Sequence, residues 1–191
     1  MGALHVMRLF KNDNRGFTLI EMVVSLTIVA LIAGAMMANY RGGERTNKLV
    51  VSTKKLSSYI RMAQNNTLGA VEYGTSTPDG GWGVHIDTTN SETSYKLFAN
   101  ENYNGGSNLI YDPGEALAEY GGKTIALEEG VRIATTTAGQ EVDISFFPPD
   151  PDTIIYDGSS ELDEVEIVLE NQVGSTKRVR VNHFGLIEVL D

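Results

Sequence analysis

One carboxylate, Glu21, stands in an otherwise uncharged run from Phe17 to Tyr40. An acid carried into hydrocarbon costs on the order of 2 to 3 kcal/mol or more, so it demands a cationic partner or a place at the headgroup level. Near a helix start it also complements the dipole. Further along, Asn100, Asn102 and Asn104, then Asp112 and Glu115, space oxygen side chains around Gly105 in the manner of a calcium loop. The first three are neutral and Tyr111 holds the twelfth position, so an Asn/Gly-rich surface turn is the simpler reading. Asp150, Asp152, Asp157, Asp163 and Glu164 surround the sequence PPDPD, which reads as a solvated, proline-stiffened contact loop rather than an ion site. Lys177, Arg178 and Arg180, with His183, make a short basic stretch. Strand alternation sets both arginines opposite Val179 and Val181, facing water. So few cations neutralise few phosphates, and nucleic-acid contact there would be weak and salt-sensitive.

For catalysis the inventory is thin. His5 lies in the N-terminal segment, His85 sits between Val84 and Ile86 and is expected on the solvent face of a strand, and His183 falls in a turn. None adjoins a nucleophile or zinc motif, and no glycine loop cradles a phosphate. The chain is therefore not expected to be an enzyme, and no cofactor is expected beyond the calcium candidates.

The totals agree with this. The chain has 191 residues, 41% hydrophobic and 21% charged, which suits one globular domain with an appended element. Lys and Arg number 15 against 25 Asp and Glu, a net charge of −10, which disfavours a broad footprint on nucleic acid or anionic lipid. Cysteine is absent, excluding disulfides and thiol chemistry.

Several elements must position these residues. Met22 to Tyr40 gives 19 uncharged residues. With Phe17 to Ile20 they make a helix of about 30 Å or more, a bilayer span. Ahead of it, Arg8, Lys11 and Arg15 outweigh Asp13, as in an export leader. A secretory signal peptide with Ala33-Gly34-Ala35 as cleavage site and a simple bitopic anchor both compete here, but neither gives Glu21 a role. Basic residues on both flanks, including Arg41, Arg45 and Lys48, leave the charge rule unable to orient the span. Gly42-Gly43 predicts a bend or a break between helices. From Glu44 to Leu68, Leu49, Leu56, Ile60, Ala63 and Thr67 recur at helical spacing, with Lys48, Lys54, Lys55, Arg61 and Gln64 elsewhere, predicting an amphipathic helix laid on a core. From Trp82 the period falls to two, predicting antiparallel strands at 82–87, 94–99, 123–134, 141–147, 165–170 and 177–190, the last pair joined by a turn at Asn182-His183-Phe184-Gly185.

Gly16, then Phe17-Thr18-Leu19-Ile20-Glu21, then an unbroken apolar helix, resembles the class III prepilin signal of type IV pilins and of type II secretion pseudopilins. The resemblance implies a prepilin peptidase that cuts after Gly16 and methylates Phe17, and a helix that packs with other pilins or pseudopilins in a filament core. It also implies that Glu21 meets the cationic amine of Phe17, on its own or a neighbouring chain. In a low-dielectric bundle such a pair would set axial register. Trp82, the Phe147-Pro148 break and the pattern R-x-R-V-N-x-x-G-x-I-x-V from Arg178 to Val189 are similar to the H-type minor pseudopilins and their FimT-like relatives. Relatives that hold DNA do so through a basic C-terminal region, which makes Lys177, Arg178 and Arg180 the alternative DNA contact. Ala38 replaces the helix-bending proline of major pilins and the C-terminal disulfide is missing, so a major fibre subunit is not implied.

The expected fold is α+β and pilin-like: a long N-terminal helix, transmembrane then amphipathic, packed on an antiparallel β-sheet head. Its parts are a leader at 1–16, an assembly helix at 17–40, an amphipathic helix at 41–68 and a β-rich head at 69–191. The implied location is the bacterial inner membrane, single-pass with the head outside the cytoplasm, and then a pilus or pseudopilus.

Overall fold

The computed structural model describes residues 16–100, 111, 124–149 and 152–191. The chain divides into two units, Met1–Arg41 and Gly42–Asp191. A single helix, α1 (Leu19–Leu68), contributes to both. Contrary to the break expected at Gly42-Gly43, α1 is continuous there. Two glycines cost a helix only about 1 kcal/mol each, which good helix formers on either side outweigh.

In the first unit, every side chain described from Gly16 to Met37 is exposed, apolar ones included. In the second, α1 has one buried face, formed by Leu49, Leu56, Ile60, Ala63 and Thr67 as the spacing predicts. Ser52, Thr53 and Ser57 are buried beside them. Small hydroxyl residues let backbones approach closely while their oxygens find partners: Thr53 Oγ1 donates to Leu49 O at 2.7 Å, and Ser52 Oγ accepts from the Glu128 amide at 3.0 Å.

Among the described residues ten strands follow: β1 (Trp82–Asp87), β2 (Ser94–Ala99), β3 (Thr124–Ala126), β4 (Val131–Thr136), β5 (Glu141–Phe147), β6 (Asp152–Tyr156), β7 (Glu161–Leu162), β8 (Glu164–Asn171), β9 (Thr176–Asn182) and β10 (Ile187–Leu190). They form a six-stranded sheet ordered β3-β2-β1-β5-β6-β7 and a four-stranded sheet ordered β10-β9-β8-β4. Every pairing is antiparallel. The run expected at 123–134 is two strands in different sheets, because Gly130, at φ 83°, turns the chain from β3 into β4. The β1–β2 loop ties the sheets together at this crossing: Thr93 O accepts from the Leu127 amide and Glu92 O from the Ile133 amide.

The core joins α1 to both sheets, with Trp82, Val84, Ile86, Ile144 and Phe146 from one and Ile133, Ile167, Leu169, Val179 and Val181 from the other. Strand alternation is regular in β8, where Val165, Ile167 and Leu169 are buried between partly exposed neighbours.

The acidic stretch read as a solvated loop needs correction. Asp152 opens β6, whose Thr153 and Ile155 are buried. Pairing with β5 outweighs the local acidity, since Ile154 and Ile155 supply the apolar content of a strand. Asp157 then caps the turn into β7, and the amides of Ser160 and then Ser159, both bonded to its Oδ1, hold its carboxyl below the usual range. Asp163 and Glu164 are exposed as expected, and Asp150 lies outside the described residues.

Candidate functional site

The N-terminal site is built on the first turn of α1. Thr18 precedes the helix, and its Oγ1 accepts from the Glu21 amide at 3.3 Å. The Glu21 carboxylate reaches back in return, accepting from the Thr18 amide at 3.3 Å and the Thr18 hydroxyl at 3.2 Å, all through Oε2. This reciprocal pattern is a capping box, satisfying donors that a helix start otherwise leaves orphaned. It turns the one acid of the apolar run toward the chain segment just ahead of the helix, where Phe17 lies. The T-x-x-E spacing that specifies it is readable in the sequence, although Thr18 was not singled out as a partner of Glu21.

Around and beyond that turn the exposed surface is mostly apolar: Phe17, Leu19, Ile20, Met22, Val23, Val24, and onward to Met37. Among the described residues, α1 is the one helix long and apolar enough to cross a membrane. In water such a surface would be strongly unfavourable.

The C-terminal hairpin forms as expected, with Gly185 at φ 76° between β9 and β10. Its cations are matched by carboxylates. Glu166 of β8 faces both arginines, with Arg178 Nη1 at 3.5 Å and Arg180 Nη2 at 3.3 Å. Lys177 pairs with Asp191, and its hydrogen bond and charge hold the Asp191 carboxyl below the usual range. Of the calcium candidates, Asn102, Asn104, Asp112 and Glu115 lie outside the described residues. Asn100 is fully buried, and its backbone exchanges hydrogen bonds with Gly80 and Gly81, as a strand terminus clasped by a turn would.

His85 is not where the sequence placed it. It is 5% exposed, on the face of β1 away from the core. Strand pairing sets it between Lys96 of β2 and Asp143 of β5. His85 Nδ1 lies 2.7 Å from Asp143 Oδ1. Tyr111 covers the pair: its ring stacks on the imidazole at 4.2 Å, and its amide donates to Asp143 Oδ2 at 3.2 Å. Phe98 packs edge-on against Tyr111, in space left by Gly83, whose missing Cβ would lie 2.5 Å from the Phe98 ring. Lys96 Nζ donates to the Tyr111 hydroxyl at 3.1 Å. Glu141, two residues before Asp143 on the same strand face, brings its exposed carboxylate to the cluster, and single ligand atoms of His85, Glu141 and Asp143 all lie within 4.8 Å of one another. Alternation in VHI and EVDI was visible in the sequence. What hid the cluster is cross-strand register, and a covering residue, Tyr111, well separated from both strands in sequence.

Residues 11–37 match the family described as the prokaryotic N-terminal methylation motif. No curated protein and no solved structure matches the chain. The chain thus carries the class III prepilin-type signal of type IV pilin-like proteins, a family of structural subunits rather than enzymes. That signal implies processing by a prepilin peptidase and assembly with other pilins, and with the exposed apolar helix it accords with membrane anchoring.

Proposed function

We propose that this protein is a minor pseudopilin or minor pilin of the H-type, a subunit that joins or initiates a type II secretion pseudopilus or type IV pilus. The reading rests above all on one coincidence: the methylation motif at residues 11–37 runs into a helix whose described apolar side chains, from Leu19 to Met37, are exposed, with a single acid at its start. Peptidase cleavage after Gly16 creates an amine at Phe17, next to the capping box that already aims Glu21 that way. Before assembly the carboxylate stays at the interface as a helix cap. Within the filament it pairs with the Phe17 ammonium and sets the axial alignment of subunits, an ion pair strong at low dielectric only when geometry and partners are right. The N-terminus faces the cytoplasm and the β-rich unit lies outside it.

DNA capture by the C-terminal hairpin is the less favoured function, because Lys177, Arg178 and Arg180 already meet Asp191 and Glu166. A phosphate would have to displace a carboxylate at each.

The deciding measurement is the intact mass and N-terminal residue of the protein extracted from membranes of a cell that carries a prepilin peptidase. An N-methylated Phe17 is the expected result. A chain that starts at Met36 or keeps Met1 would return the signal-peptide or plain-anchor reading.

A further inference from the structure

We propose that His85, Asp143 and Glu141 form a zinc-class divalent cation site on the outer face of the six-stranded sheet. The three ligands are placed by pairing and not by loop chance: His85 faces Asp143 across β1 and β5, and Glu141 lies on the same face two residues away, opposite Asp87. Their donor atoms already converge within 4.8 Å. A neutral imidazole and two carboxylates carry a charge of −2, which a divalent ion balances.

The donor set selects the ion. Calcium takes about 6 to 8 oxygen ligands, whereas one imidazole with two carboxylates suits zinc and its first-row neighbours, which accept three protein ligands and keep a fourth position for water. With metal–ligand bonds of about 2.0 to 2.1 Å, tetrahedral ligands stand about 3.3 Å apart. The present 2.7 Å between His85 and Asp143 therefore opens by about half an ångström when the cation enters between them.

Surrounding groups hold the ligands as an outer shell does. The Tyr111 amide binds Asp143 Oδ2, leaving Oδ1 toward the imidazole, and the Tyr111 ring fixes the imidazole plane without blocking in-plane approach. Lys96, the nearest cation, is engaged by the Tyr111 hydroxyl and ring. Asp87 is not a ligand, since its carboxylate caps the turn formed by Thr89 and Asn90. A recess of about 180 Å³ lined by His85, Ser94 and Lys96 adjoins the imidazole on the β2 side.

The test is Co²⁺ titration of the full chain in detergent, followed by visible absorption and competition with Zn²⁺. One saturable equivalent with d–d bands, displaced by Zn²⁺, is expected. Glu141→Gln, a surface change that leaves the melting temperature in place, weakens binding by more than about tenfold. His85→Gln abolishes it. His5→Ala and His183→Ala leave it unchanged. The absence of a saturable equivalent in the parent chain overturns the site, as does an affinity unaltered by Glu141→Gln or a loss caused by His5→Ala or His183→Ala.

Discussion

The two halves of α1 share one backbone and two opposite solvation problems. From Phe17 to Met37, apolar side chains point outward all round and are exposed among the described residues. From Leu49 to Thr67, one face is fully covered by the sheets and the other carries Lys54, Arg61 and their polar neighbours. Two threonines illustrate it. Thr27 Oγ1 donates to Val23 O one turn back on its own helix, whereas Thr67 Oγ1 donates to Phe146 O and accepts from the Trp82 amide, joining helix to sheet. The second half finds its partners within the chain. The first half requires a bilayer or other helices, which is what makes it an assembly element.

Substitutions can break this contrast. The largest effect is expected from Glu21→Leu, which removes the one charge of the apolar run, proposed above to set the alignment of neighbours. Filament incorporation should fall to background, while membrane retention and the melting of the β-rich unit stay unchanged; recovery of the chain in sheared or affinity-isolated filaments measures it. Normal incorporation would leave Glu21 only its role as a cap. Next comes a matched pair. Leu56→Ala, at a position with no exposure, should destabilise the second unit by about 2 to 5 kcal/mol, whereas Leu26→Ala should leave its denaturation midpoint in place. Equal effects would mean that the halves are not separately stabilised. The finest comparison is Thr67→Val against Thr27→Val. The first removes the hydroxyl that joins the Trp82 amide to Phe146 O across helix and sheet and should cost about 1 to 3 kcal/mol in denaturant unfolding, the second almost nothing in the same assay.

Much of this was legible from local pattern. Helical spacing named Leu49, Leu56, Ile60, Ala63 and Thr67 because a packed helix buries a stripe with a fixed period, and that period survives in sequence. It passed over Ser52, Thr53 and Ser57, since small hydroxyls carry no apolar signal and are selected for close approach. Strands 82–87, 94–99 and 141–147 showed themselves by alternation and flanking turns. Strand β6 did not, because proline and aspartate residues around PPDPD dominate a window whose fate depends on pairing with β5. His85 failed for a related reason: alternation says that it faces away from Val84 and Ile86, but not that Tyr111 covers that face. Glu21 was legible as an anomaly of composition, its Thr18 partner only as geometry.

The polar bonds between α1 and the sheets also settle how the protein bears mechanical load. Lys55 and Thr67 grip the six-stranded sheet at Ala126 O and Phe146 O, while Arg61 and Gln64 grip the hairpin of the four-stranded sheet at Ile187 O and Gly185 O. A tug on this part of the helix is therefore divided between both layers. Such an anchorage suits a component that is hauled by its helix out of one environment into another, because the folded cargo travels with the rope.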